Sequence, residues 1–386
     1  MADPNAIVAT SVRFDPVLDR APEEVLREVG SITVVLDGER RVVLVVADER
    51  SAGFARVLDG ISKQGLPVYV EIDPDNQAIT RLLLPLVVRV TDVRPGELGL
   101  DVALEPSHAH HVLRLGDPDA DGLERELRSA LESRQPVLLT ENDTHHIIDV
   151  RPFTPDPDGP LLPFPPIPGP EPPPHRLPWP LNRLWPLLAR LWKWIWWWFC
   201  WPWWWFRCTS AANAQQVFNT LAATTCDPLT VPPPCIPFRY PDDGCWARAH
   251  EMCRLMIGMG LSPRKVWIDA SSLHRLHVST KNHPQCFVEW GWHVAPTLCV
   301  RGPGFLQTQR MVMDPSLFTT PVTESTWKGV QGDPNATLTG TGADQFWHGG
   351  GTDPTYSASN SILAQYRLAL QLRAVQSGPP PYANCP

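Results

Sequence analysis

Hydrophobic residues in the first 151 positions fall into short Val, Ile and Leu runs separated by charged turns. Residues 31–36 and 41–46, split by Asp37-Gly38, predict two strands joined by a turn. Phe54, Val57, Leu58 and Ile61 share one face at helical spacing, which predicts an amphipathic helix over 51–63. Further strands are expected over 66–72 and 78–90, the second interrupted by Pro85, and a further helix over 123–133. A spacing of 69 residues pairs Pro67 with Pro136, Leu58 with Leu127, Asp48 with Asp117, Leu44 with Leu113 and Ile79 with Ile148, without gaps. One reading is a duplicated ββαββ unit. The other is coincidence, because apolar positions align easily in any α/β chain. His108, His110, His111, His145 and His146 stand in this zone. Adjacent strand histidines point to opposite faces, so a solvated edge is expected and no metal site. Residues 1–151 therefore read as an N-terminal α/β domain that binds, targets or shields.

The pattern stops at residue 152. Over 152–180, 14 of 29 residues are proline. Proline fixes φ and lacks the N–H that helices and ladders need, so an extended polyproline spacer is expected. A docking site for a proline-reading domain is the alternative. Residues 181–207 follow, and 11 of the 17 tryptophans lie between Trp179 and Trp205. The uncharged stretch 194–206 is 13 residues long, short of the ~20 a spanning helix needs. Tryptophan also prefers the membrane interface. Contact with a membrane surface, flanked by Arg183, Arg190, Lys193 and Arg207, is one expectation. A helix packed on a neighbouring domain is the other.

A different alternation resumes over 208–386. Asp242, Asp243 and Gly244 are helix-start residues, and Ala247, Ala249, Met252, Leu255 and Met256 continue to Gly258 or Gly260. Cys245 then falls in the first helical turn, where free N–H groups and the positive end of the dipole favour a thiolate. The same N–H groups suit an oxyanion hole. A buried structural cysteine is the plain alternative. A strand over 287–294 carries His293, and another over 307–313 ends at Asp314. Adjacent strands would set that carboxylate beside the imidazole and fix its tautomer. Taken alone, His293 reads equally as a core histidine and Asp314 as a turn residue. Trp246 and Trp292 flank the candidates, as groove walls for substrate or as core.

Composition adds limits. The net charge of −8 argues against nucleic acid as a partner. All nine cysteines lie between Cys200 and Cys385. An odd number leaves one thiol over if the others pair, and Cys253, Cys286 and Cys299 read as buried thiols or disulfide partners. His274, His277, His283 and Cys286 are only loosely spaced for zinc, so no metal is expected there. Residues 1–12 lack a basic n-region and an apolar h-region, so no standard secretory signal is seen. Localisation stays open between retention inside the cell and an unconventional exit.

Three ordered motifs carry a resemblance: Gly244-Cys245-Trp246-Ala247-Arg248-Ala249-His250, then Trp290-Gly291-Trp292-His293-Val294-Ala295, then Asp314-Pro315-Ser316-Leu317-Phe318. Together with Pro321-Val322-Thr323 and Trp327, they look like the bacterial protein-glutaminase family, over roughly residues 235–335. The resemblance implies an α+β, transglutaminase-like C-terminal domain with Cys245 as nucleophile, His293 as base and Asp314 as orienter. It implies deamidation of glutamine in intact proteins without a cofactor, as an effector or toxin among other roles. Relatives are often secreted with an inhibitory pro-region. Here no signal is seen, and the first 208 residues do not resemble that pro-region. A cysteine peptidase, a transglutaminase-type acyl transferase or a non-catalytic membrane-tethered binding protein are the alternatives.

Overall fold

A computed structural model describes residues 5–154, 208–227, 235–271, 275–302, 304 and 307–385. The proline-rich spacer beyond Thr154, the tryptophan-rich segment and His274 lie outside the described residues. Among the described residues, no helix is long and apolar enough to cross a membrane.

The chain is mixed α and β. Its N-terminal part runs β1 (Ala6–Ala9), β2 (Val12–Asp15), α1 (Pro22–Val29), β3 (Ser31–Leu36), β4 (Arg40–Val45), α2 (Ser51–Gln64), β5 (Val68–Ile72) and β6 (Ile79–Leu83). It continues with β7 (Leu86–Pro95), β8 (Leu100–Glu105), β9 (His111–Leu113), α3 (Ala120–Ser133), β10 (Val137–Glu141) and β11 (Ile147–Pro152). The apolar face read for the first helix is the buried one: Phe54, Val57, Leu58 and Ile61 are at most 1% exposed. The left-handed Gly65 closes that helix.

Strands β2-β3-β4 and β1-β5-β6 form two three-stranded sheets, and β11-β10-β7-β8-β9 form one of five. Three elements recur at the 69-residue spacing at both ends: β3 with β8, α2 with α3, and β5 with β10. β5 and β10 also share an irregular register at their last residue, where they meet β6 and β11.

The C-terminal part contains α4 (Ala211–Ala222), α5 (Cys245–Gly258), β12 (Arg264–Asp269), β13 (Leu276–Ser279), β14 (Phe287–Trp290) and β15 (Trp292–Arg301). Next come β16 (Thr308–Val312), β17 (Val322–Thr323), α6 (Glu324–Gly329), β18 (Thr337–Gly342), β19 (Gln345–Trp347), β20 (Gly350–Thr352) and α7 (Ser357–Ser377). An antiparallel sheet β17-β16-β15-β12-β18 carries α5 on one face. The strand expected over 287–294 is divided at Gly291, so His293 lies on β15. Disulfides Cys208–Cys299, Cys226–Cys235 and Cys286–Cys385 tie this part, and Cys245 and Cys253 are free thiols.

Helix α7 joins the two halves. Its Ile362, Leu363 and Tyr366 pack in the core around α5. One to two turns later, Leu368 and Leu372 pack in the core of the first N-terminal sheets. Apolar residues therefore ring this helix, as burial on more than one face demands.

Candidate active site

Cys245 is the first residue of α5, after the N-cap Gly244. Gly244 has φ 77°, and a β-carbon there would stand 2.5 Å from the Tyr366 ring. Both facts call for glycine. Asp242 and Asp243 were expected to start the helix, but neither caps it with its side chain. Both are buried anchors instead. Asp243 accepts from the Gly244 N–H at 2.9 Å and from the Tyr366 hydroxyl at 2.7 Å. Asp242 holds the Arg373 guanidinium through two contacts of 2.6 and 3.0 Å. Helix α7 thus grips both carboxylates before the cysteine. Arg248, one turn into α5, is buried and donates back to the carbonyls of Tyr240 and Asp243.

His293 and Asp314 are brought together. β15 pairs antiparallel with β16, from Thr297 opposite Val312 to Arg301 opposite Thr308, and Asp314 follows β16. The imidazole Nε2 lies 2.9 Å from Asp314 Oδ2. A carboxylate only accepts, so Nε2 carries the proton and Nδ1 is the basic nitrogen. Among the described residues, Nδ1 is buried with no hydrogen-bond partner. Trp290 stacks on the same ring at 4.4 Å and 17°, and its indole donates to the Asp242 carbonyl. Burial pushes the Asp314 carboxyl up, but hydrogen bonds from His293 and Trp327 and the charge of Arg248 outweigh it and hold it below the ordinary range. Cys245 packs against β15, within reach of the backbone N–H of Val294, the residue after His293.

The thiol departs from expectation. The first helical turn favours a thiolate, yet burial pushes Cys245 well above the usual thiol range despite Arg248 and the Val294 N–H. The N-terminal domain packs against residues on either side of Cys245, namely Asp243 and Trp246. His108 is 2% exposed and lies among Trp246, Trp290, Trp292 and His293, at ring-centre distances of 4.9–6.1 Å. Its segment forms an isolated antiparallel bridge, Ala109 opposite Trp290. Gly291 N–H donates to the His108 carbonyl and His110 N–H to the Glu289 carbonyl. His108 N–H also reaches Asp243 Oδ1 at 3.2 Å. The solvated edge expected for these histidines is therefore wrong: His108 and His111 are buried. The sequence showed them as neighbours on a strand but not which surface that strand meets.

Of the two flanking tryptophans, Trp246 is 1% exposed and Trp292 is half-buried, stacked on His348 at 4.8 Å. The sequence motifs contain Arg248 and Trp290 but assign them no role, and Tyr366 stands outside them; the roles of all three depend on partners that local pattern does not show. In the loosely spaced set, Cys286 is bonded to Cys385, His277 faces Glu289 and His283 faces Asp242.

Residues 214–331 match the family model described as Glutaminase. Among solved structures, the chain is similar to a pro-protein-glutaminase, with 19% identity, TM-score 0.48, 79% of this chain and 99% of the other covered. It is also similar to a protein-glutaminase crystal structure, with 27% identity, TM-score 0.36 and 42% and 89% covered. A third is the NMR structure of protein-glutaminase from Chryseobacterium proteolyticum, with 27% identity, TM-score 0.35 and 40% and 84% covered. No curated protein sequence matches. The matched residues include the thiol, the imidazole and the carboxylate described above, and the C-terminal domain is a protein-glutaminase family domain.

Proposed function

We propose that the C-terminal domain deamidates glutamine side chains of proteins by covalent catalysis at Cys245, with His293 as base and Asp314 as its orienter. One observation carries the reading. Cys245 heads α5 within reach of the Val294 backbone N–H, one residue on from His293, whose Nε2 is held by the buried Asp314 carboxylate, inside the glutaminase match. His293 Nδ1 takes the thiol proton, and the sulfur attacks the glutamine amide carbon. N–H groups of the first turn of α5 face the oxyanion. The imidazolium gives its proton to the leaving nitrogen, and ammonia departs from a thioester. His293 then takes a proton from water, hydroxide adds to the thioester, and the thiolate leaves and is reprotonated. Glutamine and water become glutamate and ammonia.

The N-terminal domain holds this site closed in the same reading. His108 packs against both Trp246 and Trp292, and its backbone pairs with the strand edge at Trp290–Gly291. A substrate segment would pair at that edge in its place and direct a glutamine side chain at Cys245. Trp246 and Trp292 then wall the amide.

The test incubates the chain, cleaved between its two domains, with a glutamine-rich protein. Ammonia should appear and the target should gain about one mass unit per site without cleavage or crosslinking. Cys245→Ala should stop this and Cys253→Ala should not. Equal activity in Cys245→Ala sinks the assignment. New termini or crosslinks would indicate a peptidase or a transglutaminase instead.

A further inference from the structure

We propose that His111, Glu141 and His145 form a binding site for a divalent transition-metal ion, best matched to zinc. The inference does not depend on the deamidase reading. Among the described residues, this is the group of His, Cys, Asp or Glu side chains whose ligand atoms converge, all within 4.8 Å of one another. His111 Nδ1 lies 2.6 Å from one Glu141 oxygen and His145 Nδ1 lies 2.8 Å from the other. Two imidazole nitrogens and a carboxylate suit zinc, whereas calcium and magnesium take oxygen ligands.

The surroundings fit a metal as well as the ligands do. Metal-ligating histidines hold their second nitrogen on an outer partner, which fixes tautomer and ring angle. His111 Nε2 is 2.7 Å from the Ser107 hydroxyl, and His145 Nε2 faces the buried Asp242 carboxylate at 3.6 Å. A cavity of about 50 Å³ touches Glu141, Asn142, Asp143 and His145, with room for a water as fourth ligand. Position by position, the first half of the N-terminal domain supplies a control. Residues 69 places before His111 and Glu141 are Val42 and Ile72, 0% and 4% exposed, in its apolar core. Packed aliphatic residues are generally at least as stable as buried ionic groups, so core packing does not account for the pair in the second half. An ion does. It would tie β9, β10 and the following turn together behind the Ser107–His108 segment that packs against Trp246 and His293.

The experiment uses the full chain, stripped with a chelator and dialysed. Zinc is titrated by calorimetry, and cobalt(II) serves as a visible probe of the ligand set. One ion per chain is expected, with a cobalt spectrum of nitrogen and oxygen ligands free of the strong thiolate band. The double variant His111→Val, Glu141→Ile copies the first half's aliphatic pair and should fold and lose the ion. His145→Gln should weaken binding about tenfold or more, and it decides the matter if the double variant does not fold. A parent that binds no ion, a thiolate spectrum, or variants that bind as the parent does would overturn the site.

Discussion

Trp327 donates its indole N–H to Asp314 Oδ2 at 2.9 Å, the same carboxylate oxygen that His293 Nε2 reaches. One oxygen thus receives two donors, and the imidazole cannot swing without disturbing an indole locked in the core at 0% exposure. Trp327→Phe keeps most of the ring and removes the donor. A hydrogen bond to a charged group is worth roughly 1.5–3 kcal/mol. The variant should therefore lose about tenfold or more in kcat with little change in KM. Steady-state ammonia release separates the two, and an unchanged kcat would remove Trp327 from any positioning role.

Gly244→Ala tests how Cys245 is placed. The left-handed backbone and the Tyr366 ring 2.5 Å from the added carbon act together. Strain of this kind costs about 1–3 kcal/mol, and relief requires moving Tyr366 off Asp243. Both the melting temperature and deamidation should fall. A variant that melts with the parent would show that the loop before Cys245 is not held as described.

Closure of the site predicts thiol chemistry. In the full chain, iodoacetamide should label Cys245 slowly, because burial suppresses the thiolate. After cleavage between the domains and removal of the N-terminal part, Cys245 should become the fast site. Cys253, pushed up to about 12 by burial, should stay slow throughout. Peptide mapping reads both, and fast labelling of Cys245 in the intact chain would contradict the closed arrangement.

Docking of the N-terminal domain should weaken in mild acid. Burial, with His293 and Arg248 nearby, pushes the His108 imidazole well below its ordinary range, even though Asp243 lies 3.3 Å from its Nε2. The docked state therefore refuses a proton that the released segment accepts near pH ~6.5. Stability is full above that pH and falls as pH drops, by up to about 1.4 kcal/mol per pH unit for the group. His250, lowered to about 4 by burial and Lys265, adds to the slope. Asp314 acts further down. Its carboxyl is held below the ordinary range, so its contribution is present above pH ~4 and is lost as pH falls through the lower folded value. Melts of the parent should show the decline from about pH 6.5 downwards, and His108→Gln should flatten it. Identical slopes in the two proteins would rule out His108 as the source.

The three disulfides should differ in worth. Cys208–Cys299 and Cys286–Cys385 close separations of 91 and 99 residues, and Cys226–Cys235 closes 9. Restricting the unfolded chain gives about 4–5 kcal/mol for loops near the longer lengths and less for the shorter. Cys286→Ser with Cys385→Ser should destabilise more than Cys226→Ser with Cys235→Ser. Denaturant titration measures both, and the reverse order would point to native-state packing rather than chain entropy.

The amino-acid sequence alone determined the local elements and the chemistry they carry. The apolar period of Phe54, Val57, Leu58 and Ile61 specifies a helix and its buried face, and a glycine before Cys245 starts a helix that ends at Gly258. These are short-range steric and hydrophobic preferences, readable from neighbours in the chain. The ordered motifs around Cys245, His293 and Asp314 likewise stand in the sequence. Long-range packing decided the rest. The carboxylates of Asp242 and Asp243 look like caps, but Arg373 and Tyr366, more than a hundred residues away, draw them into the core. His108 looks like an edge residue until the N-terminal domain meets Trp290 and Trp292. No local pattern encodes which surface will cover a side chain, and burial of that kind is what pushes the Cys245 thiol up.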